Sequence, residues 1–107
     1  MKSISRLFLF SLLLAGCSGE SEVITYHPNG MIQSKGDFNS DKLRVGIWTT
    51  WYDNGQKEAE ETFKNGVSDG LFKSWYRDTG RQCNEGFYKD GVMIGSWDFW
   101  DKHGNEI

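Results

Sequence analysis

The sequence predicts an all-β fold, a single antiparallel meander of consecutive β-hairpins, and three observations point to it. Aromatic residues recur at Tyr26, Trp51, Trp75 and Trp100, at spacings of 25, 24 and 25. Turn glycines recur at Gly30, Gly55, Gly80 and Gly104, at spacings of 25, 25 and 24. Between these markers lie short runs dense in aromatic and β-branched residues, which suit strands. A fixed period in this range marks a repeat architecture, in which each unit buries its apolar side against its neighbours.

The unit is clearest from Trp51 to Trp75, WYDNGQKEAEETFKNGVSDGLFKSW. Asn54-Gly55 and Asn65-Gly66 are hairpin signals, because both central residues of a type I′ turn need φ > 0. Gln56–Phe63 runs between them, and Gly70 opens a return run, LFKSW. Helical propensity in QKEAEE is outweighed: the run is too short to stand alone, it lies between two Asn-Gly turns, and its counterparts carry Gly36 and Gly86. The other outgoing segments are Met31–Phe38 and Arg81–Tyr88; the return segments are Ile47–Tyr52, Leu71–Tyr76 and Ser96–Trp100. The second turn recurs as Phe63-Lys64-Asn65-Gly66 and Tyr88-Lys89-Asp90-Gly91, so Gly66 and Gly91 join the structural turn glycines. Each return run carries a glycine with an aromatic two residues on: Gly46/Trp48, Gly70/Phe72 and Gly95/Trp97. The first repeat has Phe38-Asn39-Ser40-Asp41 in place of the second-turn glycine, and the third has an extra residue before Gly80. Insertions confined to turns leave strands in register, so the meander reaches about seven strands.

Trp48, Phe72 and Trp97 form one aromatic column, and Trp51, Trp75 and Trp100 form another on the opposite strand parity. These aromatics supply most of the apolar burial, at roughly 150–250 Å² each. A single sheet without covering helices buries only one face well, so one column is expected to stay partly exposed as a binding surface.

Residues 1–16 stand apart from this domain. Lys2 and Arg6 give a positive start, Leu7 to Leu14 an apolar run, and Ala15 and Gly16 a small-residue end, the layout of a secretory signal rather than a membrane span. Leu14-Ala15-Gly16-Cys17 resembles the lipobox of bacterial lipoproteins. That resemblance implies cleavage before Cys17, lipidation of Cys17, and a cell-envelope address, on the outer membrane facing the periplasm in a Gram-negative cell. Residues 17–22 then form a flexible tether and 23–107 the repeat domain. Loss of Lys2 and Arg6 leaves 10 Lys+Arg against 15 Asp+Glu, a balance of −5. An acidic domain of this kind argues against nucleic acid as a partner. With Cys17 lipidated, Cys83 has no intramolecular partner and reads as a half-buried strand residue.

No catalytic constellation is visible. His27 and His103 lie in turns at opposite ends of the repeat domain, and no third ligand stands at metal-binding spacing. Cys83 has no base and orienting group beside it in the pattern. Glu58, Glu60 and Glu61 read as a charge-protected strand rather than a carboxylate pair for glycoside chemistry. The chain is therefore expected to be no enzyme, with no metal and no cofactor.

Tyr26-His27-Pro28-Asn29-Gly30, Trp51-Tyr52-Asp53-Asn54-Gly55, Phe63-Lys64-Asn65-Gly66, Tyr88-Lys89-Asp90-Gly91 and Gly95-Ser96-Trp97 together resemble the units of the MORN-repeat variant family. The resemblance covers residues 26–107. It implies a curved sheet of about three MORN-type repeats, no common catalytic residues, and a protein partner held by the aromatic surface. Many bacterial members carry a YwqK-like antitoxin label, which implies a toxin as that partner; binding to envelope glycan is the alternative reading of the same aromatics.

Overall fold

The computed structural model describes residues 21–107; the leader, Cys17 and the residues up to 20 lie outside the described region. Seven strands follow in chain order: β1 (Ser21–Tyr26), β2 (Ile32–Phe38), β3 (Arg44–Trp51), β4 (Lys57–Lys64), β5 (Val67–Trp75), β6 (Gln82–Lys89) and β7 (Val92–Phe99). They make one antiparallel sheet in the order β1-β2-β3-β4-β5-β6-β7, open because β1 and β7 do not pair with each other. The sheet measures 45 × 33 × 19 Å. Strand β1 takes in Ser21 and Glu22, the last two residues assigned to the tether.

Two kinds of turn alternate, where the sequence suggests one. Asn65 (φ 48°) and Gly66 (φ 85°) are both left-handed, as are Asp90 (φ 51°) and Gly91 (φ 83°), so the second turns are of type I′. At the first turn only Gly55 is left-handed (φ 91°), and its N–H donates to the Tyr52 carbonyl at 3.1 Å. That is a type I turn closed by a left-handed glycine. Asn54 serves there through its side chain, whose Oδ1 accepts from the Gln56 N–H at 3.0 Å. In the first repeat, where the second-turn glycine is missing, Lys42 takes the left-handed place (φ 64°).

The return strands begin at Arg44, Val67 and Val92, three or four residues before the predicted starts at Ile47, Leu71 and Ser96. Gly46, Gly70 and Gly95 lie inside the strands rather than opening them. Each sits in a bulge, where pairing with the preceding strand shifts: between Lys35/Asp37, Glu61/Phe63 and Glu85/Phe87. A bulge bends its strand without ending it. The other edge of β3 keeps a regular register, Gly46 with Phe63, Ile47 with Thr62, Trp48 with Glu61.

Directly paired residues share a face. One face therefore carries Trp48, Glu61, Phe72 and Gly86 in a row, with Val23 over Gly36 at its start. The opposite face carries an unbroken row of Ile24, Lys35, Thr49, Glu60, Lys73, Glu85 and Asp98 across all seven strands.

Candidate functional site

The first face makes the core. Trp48 is 5% exposed, and its indole lies on bare backbone: a Cβ built on Gly36 would come within 2.1 Å of the ring. Its Nε1–H donates to the Asp37 carbonyl at 3.0 Å, Phe38 meets it edge-on at 5.0 Å, and the Arg44 guanidinium covers it at 4.6 Å. The third repeat repeats the device. Trp97 lies on Gly86, with the same 2.1 Å limit, and packs with Phe72 (5.9 Å), Tyr88 (5.2 Å) and Phe99 (6.3 Å). In the middle repeat the glycine position is Glu61 and the tryptophan position is Phe72. The Ser68 hydroxyl donates to the Glu61 carboxylate.

Trp51, Trp75 and Trp100 end their return runs one residue after Thr50, Ser74 and Phe99, which pair on the first face with Ala59, Asn84 and Asn84 respectively; the three tryptophans therefore emerge on the second face. All three are half-buried, and none is in ring contact with another aromatic among the described residues. Lys57 reaches across to the Trp75 ring at 5.4 Å while its ammonium pairs with Glu60 at 2.7 Å. Beside Trp100 a groove of about 580 Å³ is lined by Arg81, Gln82, His103 and Gly104. At the far end of the same face an apolar row runs from Ile47 through Thr62 and Leu71 to Phe87 and Ile94. Ile47 is 63%, Phe87 53% and Ile94 45% exposed.

The tryptophan column is held from its backbone. Tyr52 Oη donates to the Trp75 carbonyl at 2.8 Å, Tyr76 Oη to the Trp100 carbonyl at 2.7 Å, and His27 Nε2 bonds the Trp51 carbonyl at 2.7 Å. Each first turn is thereby tied to the next repeat. Asn29 and Asn54 repeat the tie with Nδ2–H bonds to the Asp53 and Arg77 carbonyls, and Arg77 pairs with Asp53 at 2.6 Å. The Arg77 guanidinium, as hydrogen-bond donor and as charge, holds the Asp53 carboxyl below its ordinary range. Backbone N–H groups of Asn105 and His103 do the same for Asp101, which organises the last turn. Burial raises the Tyr52 phenol; the Cys83 thiol, then burial, raise Tyr76.

The two histidines thus serve turns: His27 bonds a backbone carbonyl, and His103 lines the groove. Among the described residues no three His, Cys, Asp or Glu side chains group as metal ligands. Cys83 is half-buried as expected, near the start of β6. Glu60 and Glu61 are half-buried and partnered, by Lys57 and Ser68, rather than merely solvated. Of the six aromatics singled out in the sequence, Trp48, Phe72 and Trp97 belong to the packed face, and Trp51, Trp75 and Trp100 to the one that is not closed by ring contacts. Sequence reasoning missed Gly36 and Gly86 as seats for tryptophan, and missed the exposed apolar row.

A family model described as MORN repeat variant matches residues 20–40 and 44–65. No curated protein and no solved structure matches the chain. Repeats of this kind are non-catalytic modules that generally bind proteins or membranes. The two matched stretches are successive hairpin units, β1–β2 and β3–β4, similar to the MORN repeat variant, and the same kind of hairpin unit continues through β5 and β6 to β7.

Proposed function

We propose that this protein is a lipid-anchored module of the bacterial cell envelope that holds a protein partner on the second face of its sheet. The observation that carries the reading is the row Ile47, Leu71, Phe87 and Ile94, in which three of four side chains are about half exposed or more. A contiguous apolar row on a small acidic domain favours a protein surface over bulk water. The lipobox at Cys17 supplies the anchoring part of the proposal, and the outer membrane facing the periplasm is its address in a Gram-negative cell. The antitoxin role implied by the family label is a narrower form of the same reading, with a toxin as the partner held.

A photo-crosslinking residue at Phe87 tests the proposal in cells that express the lipidated protein. The expected result is a discrete adduct that disappears when Ile94→Lys is added. An adduct pattern indifferent to Ile94→Lys, in protein whose melting is unchanged, would defeat the reading.

A further inference from the structure

The second face carries another feature at its opposite end, the separated tryptophans Trp51, Trp75 and Trp100. Trp51 and Trp75 end β3 and β5, and Trp100 directly follows β7; adjacent strands lie about 4.8 Å apart, so their backbone positions repeat at about 9.5 Å. A polyproline II helix has three residues per turn at about 3.1 Å each, a repeat of about 9.3 Å. From this match we infer that the tryptophan column binds a proline-rich segment of a partner protein, with one proline-bearing turn seated on each indole. The inference rests on the protein-binding reading and names the chemical class of the partner.

Three features fit this occupant. The indoles make no ring contact with one another, and what lies over Trp75 is the Lys57 ammonium at 5.4 Å, the end of a flexible side chain that an incoming ring can displace. A polyproline segment has no internal hydrogen bonds and leaves its carbonyls free, and the Arg81 guanidinium, which spends one Nη1–H on the His103 carbonyl, brings further N–H donors to the groove at Trp100. Beside the column, Asp98 pairs across strands with Glu85, whose carboxylate already accepts from the Gln82 amide and faces Lys73 on its other side. Asp98 forms no ion pair with a described residue. A basic residue flanking the proline segment would supply Asp98 with an opposite charge. An extended β-strand ligand fits less well, because its same-face repeat of about 6.8 Å falls out of step with the indoles.

The test titrates the protein with a synthetic peptide of three successive proline-x-x turns and one flanking arginine, following tryptophan fluorescence. The controls are a scrambled peptide of equal composition and chitohexaose. We expect saturable binding of the proline-rich peptide alone, weakened at least tenfold by Trp75→Ala and severalfold by Asp98→Asn. Should Trp75→Ala fail to fold, Trp75→Phe together with Asp98→Asn carries the same test. A flat titration, an equal response to the scrambled peptide, or chitohexaose binding in its place overturns the inference. If the peptide fails while the Phe87 adduct persists, the inference falls alone; loss of both removes the protein-binding reading as well.

Discussion

Replacement of Gly36 by alanine separates two physical arguments by sign. Gly36 is buried and is not among the residues with positive φ, so backbone reasoning alone favours alanine, by about 0.4–1 kcal/mol through reduced entropy of the unfolded chain. The ring above it argues the other way, since the new Cβ would fall 2.1 Å from Trp48 Cδ2, where no atom can sit. The indole must lift, and the backbone of β2 cannot yield without breaking its pairing with β1 and β3. Overpacking of this kind costs about 1–3 kcal/mol. Loss of the Trp48 Nε1–Asp37 hydrogen bond adds about 1 kcal/mol. Re-exposing a third of a buried indole of roughly 200 Å² adds another ~1.5–2 kcal/mol. The net expectation for Gly36→Ala is a destabilisation of about 3–5 kcal/mol. Gly86→Ala should cost less, about 2–3 kcal/mol, because Trp97 is only half-buried and its Nε1 has no partner to lose. Urea unfolding followed by tryptophan fluorescence measures both, with near-UV circular dichroism reporting the displaced indole. A Gly36→Ala variant as stable as the parent, with an unchanged aromatic signal, would refute the seating of Trp48 on this glycine.

Gly66→Val should cost about 1–2 kcal/mol, because Gly66 holds φ 85° and a left-handed β-branched residue is strained; a melting curve equal to the parent's would mean the turn tolerates it. Asp53 and Asp101 have carboxyls held below the ordinary 3.8 in the folded chain, so their contribution is present above that value and is given up as pH falls through the lower folded one. Melting followed from pH 5 down to about pH 2 should fall more steeply in the parent than in Asp101→Asn. Cys17→Ser should move the protein from the membrane pellet to the soluble fraction, and continued pelleting would count against the lipid anchor.

What the sequence made legible is the periodic part of the fold. The nine glycines on the repeat grid are the nine with positive φ, because a left-handed backbone leaves a local mark in residue type. The two aromatic columns are likewise legible, since strand parity decides faces. The lengths of the return strands are not, because a bulge glycine and a turn glycine are the same letter in sequence: Gly46, Gly70 and Gly95 look like boundaries until pairing is seen on both sides. Nor is the choice of face. Trp48 is buried because Gly36, twelve residues away on another strand, offers bare backbone to its indole, whereas no such seat lies under Trp75. The apolar row of half-buried Leu71 and exposed Phe87 and Ile94 escapes notice for the same reason, being assembled across three strands from residues that are unremarkable in their own runs.

The middle repeat shows what the seating rule demands when it is broken. Where Gly36 and Gly86 stand under tryptophans, Glu61 brings a side chain onto the face, and the residue opposite it is the smaller Phe72. Its carboxylate is half-buried and meets a donor in Ser68, so the charge is not left unpartnered. The third repeat has Met93 where the second has Ser68, each paired with the aromatic one residue before the end of the preceding strand, Tyr88 or Phe63. Moving the middle solution into the third repeat should therefore succeed only as a set. Gly86→Glu alone should destabilise by more than Gly86→Ala, because it adds an unpaired half-buried charge to the clash with Trp97. Trp97→Phe in the same chain should recover a substantial part of that loss by removing the clash, and adding Met93→Ser should return roughly another 1 kcal/mol by supplying the hydroxyl. A cycle measured in urea in which the three changes simply add would show that glycine and ring size are independent along the sheet, and that the pairing of small residue with large ring does not govern how this face packs.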